Sequence, residues 1–250
     1  NSFGGESAFW ANQSISFNLN PPLAISIIVL IAFLLLLKNI HTINLKSGIF
    51  ISALLLGSLM GFKSYGAVLA TGSLAIVSIV NLFKREFVYL YICAISIILS
   101  LVIFISGFDI GQKLIVFSPF WFIHSMIDSP DRVGWTRLSL ARISGLQTNN
   151  WFKFFSSEII SLFIFICGNL GIRFLSLASL ITIKTFLKDK ILLFIFIFSV
   201  LSFLIPILFI QSGNPWNTIQ FSYYGLYMTA IVSGSVIAYL ISKMPKLISF

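Results

Sequence analysis

Three clusters of polar side chains break an otherwise apolar chain, and the first rests on one lysine. Lys63, with Tyr65 two residues on, is the only charged side chain in the run Ser47–Phe83. A compact ammonium at that place suits a phosphate, such as that of a lipid carrier, as a point charge. Equally, a lysine at a helix end snorkels to lipid headgroups. The second cluster is Arg132, Arg137 and Arg142, five residues apart, with Asp128 and Asp131 beside them and His124 upstream. At about 100° per residue the three arginines point in different directions on a helix and share no single solvent face. They need acidic or phosphate partners, so salt bridges to Asp128 and Asp131 and a pyrophosphate-binding role both fit. His124 by itself reads more readily as an interfacial or packed histidine than as a catalyst. The third cluster is Ser212–Tyr224. A helix starting at Pro215 puts Trp216, Gln220, Tyr223 and Tyr227 on one stripe, with Asn217 and Tyr224 beside it. Trp and Tyr gather at membrane interfaces in any case. Amides next to aromatic rings are also what a polar, ring-shaped ligand such as a sugar requires.

The elements that carry these clusters follow from composition. The chain is 58% hydrophobic and 9% charged, with mean hydropathy +1.03, whereas soluble domains carry about 25% charged residues. This is the balance of an all-α polytopic membrane protein. Its net charge of +9 then belongs to cytoplasmic loops and implies no nucleic-acid partner. Cys93 and Cys167 lie far apart within apolar segments, a spacing that suggests neither a metal site nor a disulfide framework.

A straight helix over Ser47–Phe83 would be roughly 55 Å long, against a bilayer core of about 30 Å. The run must break, and Gly61–Gly66, with Lys63 inside it, is the natural place. Seven spans result: Pro22–Leu37, Ser47–Phe62, Tyr65–Phe83, Phe87–Ser106, Glu158–Thr182, Ile191–Ile210 and Phe221–Ser242. The loops 38–46, 84–86, 184–190 and 243–246 then share one side and hold nine of the sixteen basic residues, while the uncharged loop 211–220 lies opposite. That bias puts Asn1 outside and Phe250 inside, with Lys63 at the outer tip of a helical hairpin. Ser47–Phe62 is short for a crossing, and its Gly57 and Gly61 form a GxxxG that permits close helix contact.

In the outer stretch 107–157, Ser118-Pro119 and Ser129-Pro130 read as helix starts. They predict an interfacial helix Pro119–Ile127 and a second helix Pro130–Ser144 with Gly145 at C′. Arg173 is read as an inward-snorkelling anchor, with a helix break at Gly168-Asn169-Leu170-Gly171 as the alternative. No linker divides the chain, so residues 1–250 read as a single polytopic domain. The start at Asn1, with no charged leader before the first span, reads as a fragment lacking its N-terminal part.

The fragments Trp10-Ala11-Asn12-Gln13-Ser14 through Asn20-Pro21-Pro22, Gly61-Phe62-Lys63-Ser64-Tyr65 and Trp216–Tyr224 resemble uncharacterised bacterial polytopic proteins grouped with the GT-C membrane glycosyltransferases. The likeness extends over most of the chain. It implies sugar transfer from a polyprenyl-phosphate donor at the outer face of a prokaryotic cytoplasmic membrane. It also implies a catalytic carboxylate in a first outer loop, which would lie upstream of Asn1. Glu6 and Asp109 are outer acids but match no such motif, and the catalytic residue is left unassigned, as are any cofactor and the oligomeric state.

The expected function is therefore a GT-C-like glycosyltransferase in contact with membrane lipid. Lys63 with Arg132 or Arg137 would meet phosphate, and Tyr65, Trp216, Asn217, Gln220, Tyr223 and Tyr224 would line the substrate pocket. A transporter or lipid-carrier flippase is the alternative, set back by polar groups that gather at one face and by the lack of a repeat. A scaffold without a ligand is the third reading.

Overall fold

The computed structural model describes residues 20–107, 115–182 and 188–243. Residues 1–19, with Glu6 and the Trp10–Ser14 pattern, lie outside them, as do Asp109, Lys184 and Lys246. Among the described residues seven helices are long and apolar enough to cross a membrane, and the chain is an all-α integral membrane protein. It divides into two compact units, both discontinuous in sequence.

The first unit holds α1 (Pro21–Lys38), α2 (Leu45–Phe62), α3 (Ser64–Leu82), α4 (Val88–Gly107) and the Lys190–Phe203 part of α8 (Lys190–Leu208). Prolines open α1, where their missing N–H groups would have no helical acceptor. Leu23, Ile27, Leu30, Phe33 and Leu37 form its buried stripe, while Ile25, Ile28 and Leu35 stay exposed, as a lipid-facing helix allows. The α2 helix starts two residues before the expected Ser47, because the Asn44 side chain accepts from the N–H of Lys46 and Ser47 at 3.1 and 3.3 Å. Its 18 residues span about 27 Å, close to a full crossing.

Lys63 is the single residue between α2 and α3, held extended at φ −157° and ψ 108°. The direction of α2 relative to α4 follows from three contacts. Ser96 Oγ lies 3.4 Å from the Ala53 carbonyl, Ser100 Oγ 3.4 Å from that of Gly57, and Gly61 faces Ile103. Both numbers rise together, so α2 and α4 run parallel and α3 returns between them. The apolar run is thus a helical hairpin, as the charge bias predicts. At Gly57 an added Cβ would meet Leu99 Cβ at 2.7 Å, whereas at Gly61 it would find Ile103 at 3.7 Å. Only the first half of the GxxxG is needed for close approach. Three polar side chains within α3 bond to their own helix: Ser73, Ser78 and Asn81 each donate to the carbonyl four residues back.

The α3–α4 turn keeps Arg85 at φ 58°, a left-handed conformation that costs a non-glycine residue about 1–2 kcal/mol. Asp189 caps α8 by accepting from Ile191 and Leu192 N–H. Lys190 then pairs with Glu86 and sits 5.2 Å from the Tyr89 ring centroid. Further along, Phe194 of α8 packs on Phe33 of α1 with ring centroids 5.8 Å apart.

The second unit begins with strand β1 (Ile115–Phe117), paired antiparallel to β2 (Phe209–Gln211) with Val116 opposite Ile210. It continues with α5 (Trp121–Asp128), α6 (Thr136–Gln147), α7 (Trp151–Leu170), a 3₁₀ segment Gly171–Thr182 and, after β2, a 3₁₀ turn Pro215–Ile219 and α9 (Gln220–Lys243). Several boundaries differ from the sequence expectation. The helix expected from Pro119 starts at Trp121, entered through Phe120 at φ 63°. The helix expected over Pro130–Ser144 starts only at Thr136, because the preceding loop folds back on α5. There Val133 and Trp135 N–H groups donate to Met126 and Ile127 carbonyls, and Gly134 takes φ 57°. Gly145 lies inside α6 and does not end it. An added Cβ there would sit 2.8 Å from the Phe154 backbone nitrogen, so this glycine lets α6 press against α7. The span expected from Glu158 begins at Trp151, capped by the Asn150 side chain. It breaks after Leu170, where Gly171 takes φ 52°, so Arg173 follows a helix break and its carbonyl accepts from Ser233 Oγ at 2.9 Å. The span expected to reach Ile210 ends at Leu208, because residues 209–211 extend to pair with β1.

Candidate acid–base site

The α5 helix is eight residues long, and its Phe122, Ile123, Met126 and Ile127 are buried. The spacing that buries those four leaves Trp121, His124, Ser125 and Asp128 on the remaining faces. His124 points to α7, where Glu158 stands two turns into the helix. His124 Nε2 lies 2.9 Å from Glu158 Oε1 and 3.0 Å from Oε2, so the imidazole straddles the carboxylate. The histidine side chain is 30% exposed and the glutamate 11%. The acid is therefore enclosed while the imidazole keeps an open edge.

Among the described residues Glu158 is the only charged residue that is buried. Its neighbours do not compete for it, since Ser157 and Ser161 donate to carbonyls of their own helix at 2.7 Å each. A neutral His124 meets this carboxylate by carrying its proton on Nε2, which leaves the Nδ1 lone pair free to accept one. A carboxylate that fixes the tautomer and orientation of an imidazole is the arrangement of a general base.

The arginines take up different partners. Arg142 Nη2 is 2.6 Å from Asp128 Oδ2, a salt bridge that ties α6 to the end of α5. Arg132 Nε is 3.4 Å from Asp131. Arg137 is exposed on α6 and has no acidic partner among the described residues. Two of the three thus meet the acids proposed from the spacing, and the third keeps an open guanidinium.

Trp216 belongs to the 3₁₀ turn, not to the first turn of an α-helix as expected. Its ring packs on Trp121 at 4.5 Å between centroids and edge-on to Phe122 at 6.3 Å, with 40% of the residue still exposed. The same turn brings Asn217 Oδ1 to accept from Gln220 Nε2 at 3.3 Å. Thr218 Oγ1 accepts from the Gln211 N–H at 2.6 Å and so fastens the turn to β2. Gln220, Tyr223 and Tyr227 are half-buried along one side of α9, while Tyr224 is fully buried. The second unit therefore places Trp216 directly against the helix that carries His124.

Lys63 and Tyr65 belong to the first unit. Lys63 Nζ lies 5.5 Å from the Tyr65 ring centroid, a cation–π contact, and burial lowers the lysine below its ordinary pKa.

Sequence reasoning missed the pairing of His124 with Glu158. The apolar run puts this acid at the edge of a span, where it is unremarkable, whereas the Asn150 cap starts the helix seven residues earlier, at Trp151. Asn149-Asn150 before Trp151 was the available signal: Asn149 adopts φ 53° and Asn150 caps the helix. Among the described residues no three His, Cys, Asp or Glu side chains gather closely enough to hold a metal ion. No family model, curated protein or solved structure matches the chain.

Proposed function

We propose that this chain is a membrane glycosyltransferase of the GT-C kind, which moves a sugar from a polyprenyl-phosphate carrier to a hydroxyl acceptor at the face opposite its basic loops. The observation that carries the reading is the enclosed Glu158 bridging to a half-open His124. Nδ1 of His124 takes the acceptor's hydroxyl proton as that oxygen bonds to the anomeric carbon. The bond from the anomeric carbon to the carrier phosphate breaks, and its electron pair leaves with the phosphate. Arg137 is the cation open to receive that charge, with Arg132 nearby in sequence on the loop before α6. Trp216 offers a partly exposed ring for the sugar face, and the Asn217–Gln220 amides lie on the same turn. The cell is read as prokaryotic, with Asn1 outside and Phe250 inside. In support, the parallel α2 and α4 bring Lys46, Lys84 and Arg85 to one end of the first unit, where Lys190 joins them through Glu86.

The break at Leu170–Gly171 favours a second reading, a proton-coupled transporter or flippase using the same His–Glu pair. One experiment separates the two. The purified chain in nanodiscs is given labelled polyprenyl-phosphate sugars and a hydroxyl acceptor, and free carrier phosphate is measured. Transfer is expected, lost by about 10²–10⁴-fold in His124→Gln and in Glu158→Gln. Movement of the intact donor across proteoliposomes without cleavage would identify the transporter, and neither activity in a folded protein would leave a scaffold.

A further inference from the structure

At the basic end of the first unit a cavity of about 500 Å³ opens between the starts of α2, α4 and α8. Leu45 and Ile49 of α2 form one wall, and Phe87, Val88 and Tyr91 the other. His41, Arg85, Glu86 and Lys190 stand around it. The cavity exists because α2 and α4 are parallel: their first turns lie side by side, and the connections into them frame the opening.

The charges around the cavity are not equivalent. Lys190 is taken up by Glu86 and packs over Tyr89. Arg85 is exposed and has no acidic partner among the described residues, and the same holds for His41. Arg85 also occupies a left-handed position that glycine would fill without strain. The turn thus carries a guanidinium at the cavity despite the backbone, where a strain-free residue would leave that edge uncharged. Such strained positions persist where the surroundings over-determine them, often at ligand sites.

The walls decide what kind of anion fits. Leu45, Phe87 and Tyr91 are 43%, 46% and 56% exposed, so the cavity continues into the apolar surface that faces lipid in a spanning protein. A small free phosphate would use Arg85 and His41 and leave these walls bare. We infer that the cavity binds an anionic phospholipid, with its phosphodiester on Arg85 and His41 and an acyl chain along Leu45, Ile49, Val88 and Tyr91. Guanidinium geometry suits a phosphate, and basic pockets among membrane helices hold acidic headgroups. This site is independent of the acid–base pair of the other unit.

The test uses the purified full chain in mild detergent, titrated with phosphatidylglycerol, phosphatidylcholine or glycerol phosphate and read by native mass spectrometry. Phosphatidylglycerol is expected to bind about fivefold tighter than phosphatidylcholine, the scale of one basic residue at a lipid phosphate. Arg85→Gly should abolish that preference. It removes the guanidinium yet favours the same backbone, so loss of fold is not in play, and a melting temperature no lower than the parent's confirms it. Lys84→Gln, next in sequence but not lining the cavity, should keep the preference. Equal binding of the two lipids would overturn the inference, as would an Arg85→Gly protein that keeps the preference or a Lys84→Gln protein that loses it. Glycerol phosphate competing at concentrations as low as the lipid would overturn the lipid in favour of a soluble phosphate.

Discussion

Removing His124 alone from the His124–Glu158 pair should cost far more than removing both partners. In His124→Phe the carboxylate of Glu158, 11% exposed, loses an imidazole that met both of its oxygens. Breaking a buried pair on one side costs about 3–5 kcal/mol, because the remaining charge is desolvated and unpaired. The histidine is 30% exposed, so water reaches the edge of the site, and about 3 kcal/mol is the expected value for this substitution. Glu158→Leu leaves the neutral imidazole unpartnered but able to turn to water, at about 1 kcal/mol. The double variant removes both polar groups and fills the space with apolar ones, so it should lie within about 1 kcal/mol of the parent. The cycle then yields a coupling of about 4 kcal/mol, well above the noise of non-interacting sites. Unfolding in mixed micelles of rising SDS content provides the stabilities. Tryptophan fluorescence reports them locally, because Trp121 is on the same helix as His124 and stacks on Trp216. The double variant should be folded and inactive in sugar transfer. Additive costs in the cycle would refute the pairing, and full activity of the double variant would refute its role in chemistry.

Two further expectations concern the first unit. Gly57→Ala should destabilise by about 1–3 kcal/mol, because the new methyl meets Leu99 Cβ at 2.7 Å and no rotamer moves a Cβ. Gly61→Ala, in ordinary contact at 3.7 Å, should be neutral or stabilising by up to about 1 kcal/mol through helix propensity; equal effects in the same SDS titration would contradict the parallel packing of α2 on α4. For Lys63, burial lowers the folded-state pKa, so the folded protein gives up this proton before the unfolded chain does. Stability should rise with pH from that lowered value up to the ordinary lysine pKa of about 10.4. The rise should vanish in Lys63→Met and shrink when a polyprenyl phosphate is added, since a bound phosphate favours the charged form. Lys63→Ala should also lose binding of labelled carrier lipid at unchanged expression, and unaltered binding would remove Lys63 from any phosphate site.

The hairpin was legible because two independent constraints agreed. An apolar run too long for one crossing and a lysine between glycines both demanded a break near residue 63, and the basic loops favoured two crossings over one. Close packing at Gly57 was legible in kind, though the sequence could not tell it from Gly61; that depends on whether Leu99 or Ile103 lies opposite. The arginine spacing called for acidic or phosphate partners and offered Asp128 and Asp131, but which arginine meets which acid, Arg142 with Asp128, was not legible. What stayed hidden depended on where a helix begins. Reading Glu158 as the end of a polar stretch presumes that an acid marks the edge of an apolar segment. The Asn150 cap starts α7 at Trp151 and carries the acid inside, where only a partner from a distant element can meet it. The two short strands were equally hidden, because Ile115–Phe117 is uniformly apolar and Phe209-Ile210 continues the apolar run of α8 without a break.

How the polar groups are satisfied explains why the His–Glu pair calls for function. In a lipid-facing helix the least costly way to keep a serine or asparagine is to bond it to its own backbone. Ser26, Ser73, Ser78, Asn81, Ser161 and Asn169 all do so, three or four residues back. Such bonds fix nothing beyond their own helix. Among the described residues three ion pairs reach between separate elements. Glu86–Lys190 and Asp128–Arg142 involve carboxylates 40% and 39% exposed; they fasten chain turns at low desolvation cost, and anchoring accounts for them. Glu158 is enclosed, and an apolar pair of similar size would hold α5 on α7 at least as well. Packing therefore does not explain why a carboxylate and an imidazole occupy that contact, and the open edge of His124 is where a substrate proton can be exchanged.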